Sequence, residues 1–255
     1  MHSTIARTWP TVAAIVVLVG VLGGCSAPGT ETTATNTTAT PGTSTPGTGR
    51  TDPSGPATSS TPAGALAALA ALPVRGRAPT TGYRRDQFGS SWTDDVTVAG
   101  GHNGCDTRND ILRRDLVDVV VKPRTHDCVV LSGTLPDPYS GQTVDFVRGA
   151  QTSSRVQIDH VVALADAWQK GAQQLTREQR TDLANDPRNL QATIGTINQR
   201  KGAGDAATWL PPSRAYRCTY ATRQIQVKAA YRLWVTAAER DALARILHRC
   251  PAGGP

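Results

Sequence analysis

One ordered set of residues in this sequence has the types that hydrolytic chemistry requires. Asp159 and His160 are adjacent, Asn189 follows in an Asn-Leu pair, and Asn198 opens an Asn-x-x-Lys-Gly sequence. A neutral imidazole can take a proton from water near pH 7. A hard divalent cation prefers oxygen ligands and keeps several waters, so one carboxylate and one amide oxygen suffice to hold it. The set therefore predicts the activation of water beside a bound cation.

Two basic residues shortly after Asn198 are candidates for holding a phosphate. Arg200 can bind a phosphate through two parallel hydrogen bonds, and Lys201 offers a compact positive charge. The alternative for either residue is a solvated helix end. Together with a cation that neutralises charge on the phosphoryl oxygens, these residues fit the hydrolysis of a phosphodiester.

The elements that must position these residues are predicted to form an α+β fold with a helical C-terminal third. His160 follows a short alternating strand, and Thr107, Thr176 and Thr236 have the spacing of helix N-caps. The predicted helices are 65–72, 107–118, 161–170, 176–184, 220–234 and 236–249, and the predicted strands are 117–121, 128–132, 144–147, 156–158 and 189–194. The turn sequence at 137–141 predicts a hairpin between the second and third of these strands.

The N-terminus has the pattern of an export signal. Residues 11–22 are apolar, too few to span a bilayer comfortably, and small residues precede Cys25 as in a bacterial lipobox. We therefore predict a lipoprotein signal peptide over 1–25 with lipidation of Cys25, and the alternatives are an ordinary secretory signal or an uncleaved anchor. In residues 26–64, Thr, Ser, Pro and Gly make up 30 of 39 positions, which predicts a disordered tether before a single folded domain over 65–255.

The cysteine count agrees with this interpretation. With Cys25 lipidated, four of the five cysteines remain, and four cysteines allow three disulfide connectivities in an oxidising compartment. Proximity along the chain favours Cys105–Cys128 and Cys218–Cys250. The chain has no Cys-x-x-Cys pair, which argues against a zinc ribbon.

Charge and motifs narrow the function classes further. Residues 1–150 carry no net charge, whereas residues 151–255 carry the whole surplus of +7, so an acidic partner is expected to bind the C-terminal part. Six cations of the C-terminal helices suit contact with nucleic acid or with another anionic polymer: Arg223, Lys228, Arg232, Arg240, Arg245 and Arg249. No Gly-x-Ser-x-Gly, His-Glu-x-x-His or Walker sequence is present, so serine hydrolases, zincins and P-loop nucleotidases have no local support.

At this point the sequence resembles a known family. The segments IDHVVAL, NDPRNLQAT and NQRKG look like the HNH, or ββα-metal, nuclease motif. The wider pattern is similar to secreted members related to the C-terminal nuclease domain of GmrSD-type restriction enzymes. Residues 104–110, 137–139 and 205–211 also resemble that subgroup, so the resemblance covers most of residues 66–250.

The resemblance implies a role for each residue of the motif. His160 is implied to be the general base, and Asp159 and Asn198 are implied to be ligands of one divalent metal ion, Mg²⁺ ahead of Mn²⁺ or another ion. Asn189 is implied to orient the histidine or to support its loop. The implied fold is a ββα-metal core with an added N-terminal hairpin region and C-terminal helices.

The resulting hypothesis is an exported, lipid-anchored HNH-type endonuclease on the outer face of a bacterial membrane. Its expected substrate is nucleic acid, DNA ahead of RNA, cut with low sequence specificity, and no obligate protein partner is evident. A secreted form without the anchor is the alternative for its location. The competing function is a non-catalytic envelope lipoprotein that binds an anionic polymer through its basic C-terminal half. A nuclease fold that has lost its chemistry is a third possibility, against which the intact Asp159, His160 and Asn198 argue.

Overall fold

The computed structural model describes residues 61–252, and this part of the chain confirms the α+β class. Its helices and strands, in chain order, are α1 Pro62–Ala71, α2 Thr107–Asp115, β1 Val117–Val121, β2 Val130–Pro136, β3 Thr143–Val147, β4 Val156–His160, α3 Leu164–Gln169, α4 Arg177–Asn185, β5 Leu190–Ile194, α5 Gly195–Lys201, α6 Arg217–Ala230 and α7 Ala237–Leu247. The expectations for the signal peptide, for Cys25 and for nearly all of the tether lie outside the described residues. None of the helices within 61–252 has the length and apolarity needed to cross a membrane.

Strands β1, β2 and β3 form an antiparallel sheet in that order. The predicted hairpin is the β2–β3 pair, in which Leu135 lies opposite Val144. Its turn is organised by Asp137, whose buried carboxylate accepts hydrogen bonds from the backbone N–H groups of Tyr139 and Ser140. The turn therefore directs the Tyr139 side chain into the interior, where it is fully buried.

Strands β4 and β5 form a second antiparallel sheet, and α5 follows β5 without a loop. In this pair Asp159 lies opposite Gln191 and His160 lies opposite Leu190. Helices α3 and α4 are inserted between the two strands. The chain order is thus strand, helical insertion, strand and helix, with Asn198 on the last helix.

The structure corrects several predicted helix starts, and α1 and α6 each begin three residues earlier than predicted, at Pro62 and Arg217. The N-cap of α2 is Asp106 rather than Thr107, because the Asp106 carboxylate accepts the hydrogen bond from the Asn109 backbone N–H. Helix α3 begins at Leu164 rather than at residue 161, because the intervening loop is extended and is held by hydrogen bonds to Asn189. The Thr176 and Thr236 caps are confirmed.

The two disulfides favoured by sequence proximity are present. Cys105–Cys128 joins the segment before α2 to the segment before β2, and Cys218–Cys250 joins the start of α6 to the end of the chain after α7. Each closes a moderate loop, of 23 and 32 residues in sequence separation. Such cross-links stabilise a folded domain chiefly by restricting its unfolded chain.

A buried network of charges joins α3, α6 and α7. The Lys170 ammonium lies 2.7 Å from a carboxylate oxygen of each of Asp166, Asp205 and Glu239. Lys228 lies 3.2 Å from Asp166 and 3.1 Å from Glu239. The partly exposed Arg77 completes the set by pairing with Asp166 and Asp205, so three cations balance three carboxylates.

The partners of the C-terminal cations correct the prediction that these helices form a basic face. Lys228 is fully buried among carboxylates, and Arg223 donates to backbone carbonyls of residues 188 and 190 and to Gln191. Arg240 pairs with Asp241. Because half of the six cations have internal or local partners, the C-terminal helices present less free positive charge than their composition predicts.

Candidate functional site

The β4–β5–α5 unit brings the predicted motif residues to one groove. Asp159, His160 and Asn198 all line this groove, which has a volume of about 320 Å³. Asp159 and His160 reach it from the end of β4, and Asn198 reaches it from α5. The adjacent Asp159 and His160 and the distant Asn198 are therefore available to one bound substrate.

His160 is held in a single tautomer. Its Nε2 lies 2.9 Å from the carbonyl oxygen of Ala184, at the end of α4. Because a carbonyl oxygen only accepts hydrogen bonds, Nε2 carries the proton and Nδ1 keeps its lone pair. The Trp92 ring stacks on the imidazole, with the ring planes 10° apart and the centroids separated by 5.9 Å. The imidazole is thus oriented from two sides.

The surroundings of His160 keep the imidazole neutral. Burial, and then the positive charge of Arg85, lower the pKa of His160 from 6.5 to about 3, against the hydrogen bond to Ala184. The side chain is only 7% exposed. A neutral imidazole with a free lone pair is the form that a general base requires.

The same shift predicts how stability depends on pH. An unfolded histidine binds a proton near pH 6.5, whereas folded His160 stays neutral down to about pH 3. His160 therefore does not reduce the free energy of unfolding above pH 6.5. Its contribution to that free energy is lost progressively as the pH falls from 6.5 toward 3, because only the unfolded chain binds the proton in this range. We expect the free energy of unfolding in EDTA, measured with urea at about pH 7 and pH 4.5, to fall by roughly 2–3 kcal/mol more in the native protein than in His160→Gln. An equal fall in both proteins would contradict the assignment.

Asp159 is buried next to His160 and is fixed by two partners. The Tyr139 hydroxyl donates to Oδ2 over 2.7 Å, and the Lys201 ammonium donates to Oδ1 over 3.0 Å. Burial raises the pKa of the Asp159 carboxyl, and the charge of Lys201 opposes that shift. Each carboxylate oxygen has two lone pairs, so these contacts leave capacity for a further ligand.

The structure corrects the predicted role of Lys201. Its side chain is fully buried, and its ammonium donates to Asp159 and, over 2.7 Å, to the His160 backbone carbonyl. Lys201 therefore ties α5 to the end of β4 and has no free face for a phosphate. Arg200, in contrast, is exposed on α5, and its predicted contact with a phosphate stays a prediction.

Asn189 supports the loop that follows His160. Its buried amide accepts a hydrogen bond from the Val162 backbone N–H over 2.8 Å and donates to the Leu183 carbonyl over 3.0 Å. Leu183 precedes Ala184, whose carbonyl holds the imidazole. Of the two roles implied for Asn189, the contacts correspond to support of the loop, and its side chain makes no hydrogen bond to the His160 ring.

The oxygen donors of the groove fit a hard cation. Asn198 donates through Nδ2 to Gln157 Oε1 over 2.9 Å, and its Oδ1 accepts no hydrogen bond from the described residues. One carboxylate, one amide oxygen and several waters form a donor set typical of Mg²⁺. Among residues 61–252 no group of three or more His, Cys, Asp or Glu side chains is placed to hold a metal.

The sequence predicts no functional role for three residues that the structure places at the site: Trp92, Arg85 and Tyr139. Trp92 has a φ of 60°, a conformation disfavoured for bulky residues, and such strain occurs at functional sites. Arg85 is exposed at the groove, and Tyr139 holds Asp159. The DPY sequence at 137–139 drew attention to Tyr139, but no local signal distinguishes Trp92 or Arg85 from other residues of their type.

Comparison with known proteins gives two matches. The family described as GmrSD restriction endonucleases, C-terminal domain, matches residues 106–246. An uncharacterized secreted protein of Arthroderma benhamiae is 39% identical over 202 residues, which cover 78% of this chain and 89% of the relative. No solved structure matches the chain significantly.

Proposed function

Because the chain belongs to the family of GmrSD restriction endonuclease C-terminal domains, we propose that it is a metal-dependent endonuclease. It hydrolyses phosphodiester bonds of nucleic acid, DNA ahead of RNA, with little sequence preference. The observation that carries this proposal is that Asp159, His160 and Asn198 line one groove, with Nδ1 of His160 left unprotonated by the hydrogen bond from Nε2 to Ala184. In this proposal β4, β5 and α5 are the ββα-metal core.

The proposed metal is one divalent ion, Mg²⁺ ahead of Mn²⁺. Asp159 and Asn198 would hold it, and it would neutralise negative charge on the phosphoryl oxygens and on the leaving oxygen. Lys201 and Tyr139 keep the Asp159 carboxylate in place, so the ligand position is fixed before the ion binds.

His160 supplies the proton transfer in this proposal. Nδ1 takes a proton from water, the water oxygen forms a bond to phosphorus, and the bond between phosphorus and the 3′ oxygen breaks. Solvent water protonates the leaving 3′ oxygen. Because the Ala184 carbonyl holds Nε2–H, the lone pair cannot move to Nε2 without the loss of that hydrogen bond.

The experiment that tests the proposal is plasmid nicking by the purified protein over a series of metals. We expect conversion of supercoiled to open-circular DNA with Mg²⁺ or Mn²⁺, loss of nicking in EDTA, and recovery when excess Mg²⁺ is added back. Full activity in EDTA would contradict metal dependence. Absence of nicking of DNA and of cleavage of RNA with every divalent ion would overturn the nuclease function.

Export is the proposed location of this activity. Two disulfides are typical of oxidising compartments, and the Arthroderma benhamiae relative is a secreted protein. A lipid anchor at Cys25 is part of the same proposal and is tested by metabolic labelling with a fatty acid, with Cys25→Ser as the control.

A further inference from the structure

The groove that holds His160 has a neighbour beside β3. This second groove, of about 510 Å³, is lined by residues of β3, by the junction of β5 and α5, and by Arg155. Gln199 lines both grooves, so the two grooves are adjacent on the surface. We call this combined surface the β3 channel. The two volumes, about 320 and about 510 Å³, exceed what a single phosphodiester group needs.

The charged groups of the β3 channel favour an anion. Among its lining residues, Arg85 and Arg155 are the only Lys or Arg, and Asp159 is the only Asp or Glu. The buried Lys201 ammonium, which is outside the channel lining, balances the negative charge of Asp159. Arg85 and Arg155 are both exposed, and neither forms an ion pair with any residue of the described part of the chain. The channel therefore presents two free guanidinium groups, one in the His160 groove and one in the β3 groove.

A third groove beside the site carries negative charge. It adjoins the site at Gly89 and Ser90 and is lined by three carboxylates and one arginine: Asp95, Glu178, Asp182 and Arg177. Asp182 is held there by hydrogen bonds from Thr97. Phosphates are repelled from this groove, so a polyanion that reaches His160 binds more favourably along the β3 channel.

We propose that the β3 channel binds a single strand of nucleic acid and that Arg155 is a phosphate subsite several nucleotides away from the bond that is cut. This inference rests on the proposed function and adds to it the path of the strand over the surface and a phosphate contact distant from the cut bond. Guanidinium groups bind phosphate oxygens through parallel hydrogen bonds, and each such contact releases condensed counterions.

The test compares Arg155→Gln with Arg124→Gln by fluorescence anisotropy. Arg124 is exposed between β1 and β2, lines neither groove and has no ion pair within the described residues, so its variant removes the same charge elsewhere. The probe is labelled single-stranded DNA of about 16 nucleotides in EDTA, which prevents metal-dependent cleavage. We expect Arg155→Gln to weaken binding about three- to tenfold and to reduce the salt slope of log K by about one. Arg124→Gln is expected to change binding less than about twofold.

The length of the probe gives a second measurement. We expect the affinity ratio between the native protein and Arg155→Gln to approach one for a dinucleotide and to grow as the strand reaches the distal subsite. Equal effects of the two variants, or an effect that does not depend on length, would overturn the inference. Plasmid nicking by the native protein reports the proposed function separately, so a nuclease whose Arg155→Gln variant binds like Arg124→Gln refutes the channel alone.

Discussion

Replacement of His160 by alanine is expected to lower the rate of nucleic-acid cleavage by roughly 10²–10⁴-fold, the usual contribution of a general base. The variant removes the only unprotonated imidazole nitrogen at the groove and leaves Asp159 and Asn198 in place. The measurement is the initial rate of plasmid nicking at saturating Mg²⁺. Residual activity is expected to come from charge neutralisation and substrate positioning, which do not depend on the imidazole.

Two further variants separate catalysis from folding. His160→Gln keeps an N–H donor of similar reach for the Ala184 carbonyl, but its amide takes no proton from water. It is expected to be as inactive as the alanine variant with a smaller change in melting temperature. His102→Ala is the matched control, because the His102 imidazole is exposed and its one ion pair among the described residues is with Asp95, at 3.8 Å. A His160→Ala protein that nicks at the native rate, or a His102→Ala protein that is equally inactive, would contradict the assignment.

Replacement of Lys170 by methionine is expected to lower the free energy of unfolding by about 3–5 kcal/mol, because it leaves buried carboxylates without their shared cation. The ammonium is completely buried and contacts Asp166, Asp205 and Glu239 at once. Burial alone raises the pKa of the Asp166 carboxyl, but Lys228 and Lys170 together lower it below its ordinary value. The loss corresponds to a fall in melting temperature on the order of 10 °C for a domain of this size.

The control for this prediction is Lys122→Met, a change of the same type at an exposed position without an ion pair among the described residues. It is expected to alter stability by less than about 0.5 kcal/mol. The double variant with Lys170→Met and Asp205→Asn is expected to recover part of the loss, since it removes one of the three carboxylates that the Lys170 ammonium contacted. If the single variant is as stable as Lys122→Met, the charge network is not a major source of stability.

Much of the fold follows from local sequence signals. The turn at Asp137 joins β2 to β3, and the threonine at position 176 caps its helix, because both features depend on neighbouring residues. The error at α2 has a local cause as well. Asp106 and Thr107 are both good N-caps, and the backbone placed the aspartate rather than the threonine at the extended position.

The candidate site was predictable only where its residues are close in the chain or ordered by the motif. Asp159 and His160 are adjacent, and the Asn-x-x-Lys-Gly spacing places Asn198 on the helix after β5. Trp92 and Arg85 reach His160 from about 70 residues away, and nothing in their own neighbourhood indicates that contact.

The amino-acid sequence alone determined the types and order of the reactive groups, the α+β class and the cysteine pairs favoured by proximity. Only the tertiary structure decided which cations face a substrate. Lys201 and Lys228 look in the sequence like candidates for anion contact, yet both ammonium groups are buried against carboxylates. A buried lysine is stable only if a carboxylate is brought to it, and those of Asp159 and Asp166 lie 42 and 62 residues away in the chain. The free cations of the channel, Arg85 and Arg155, are those that received no such partner.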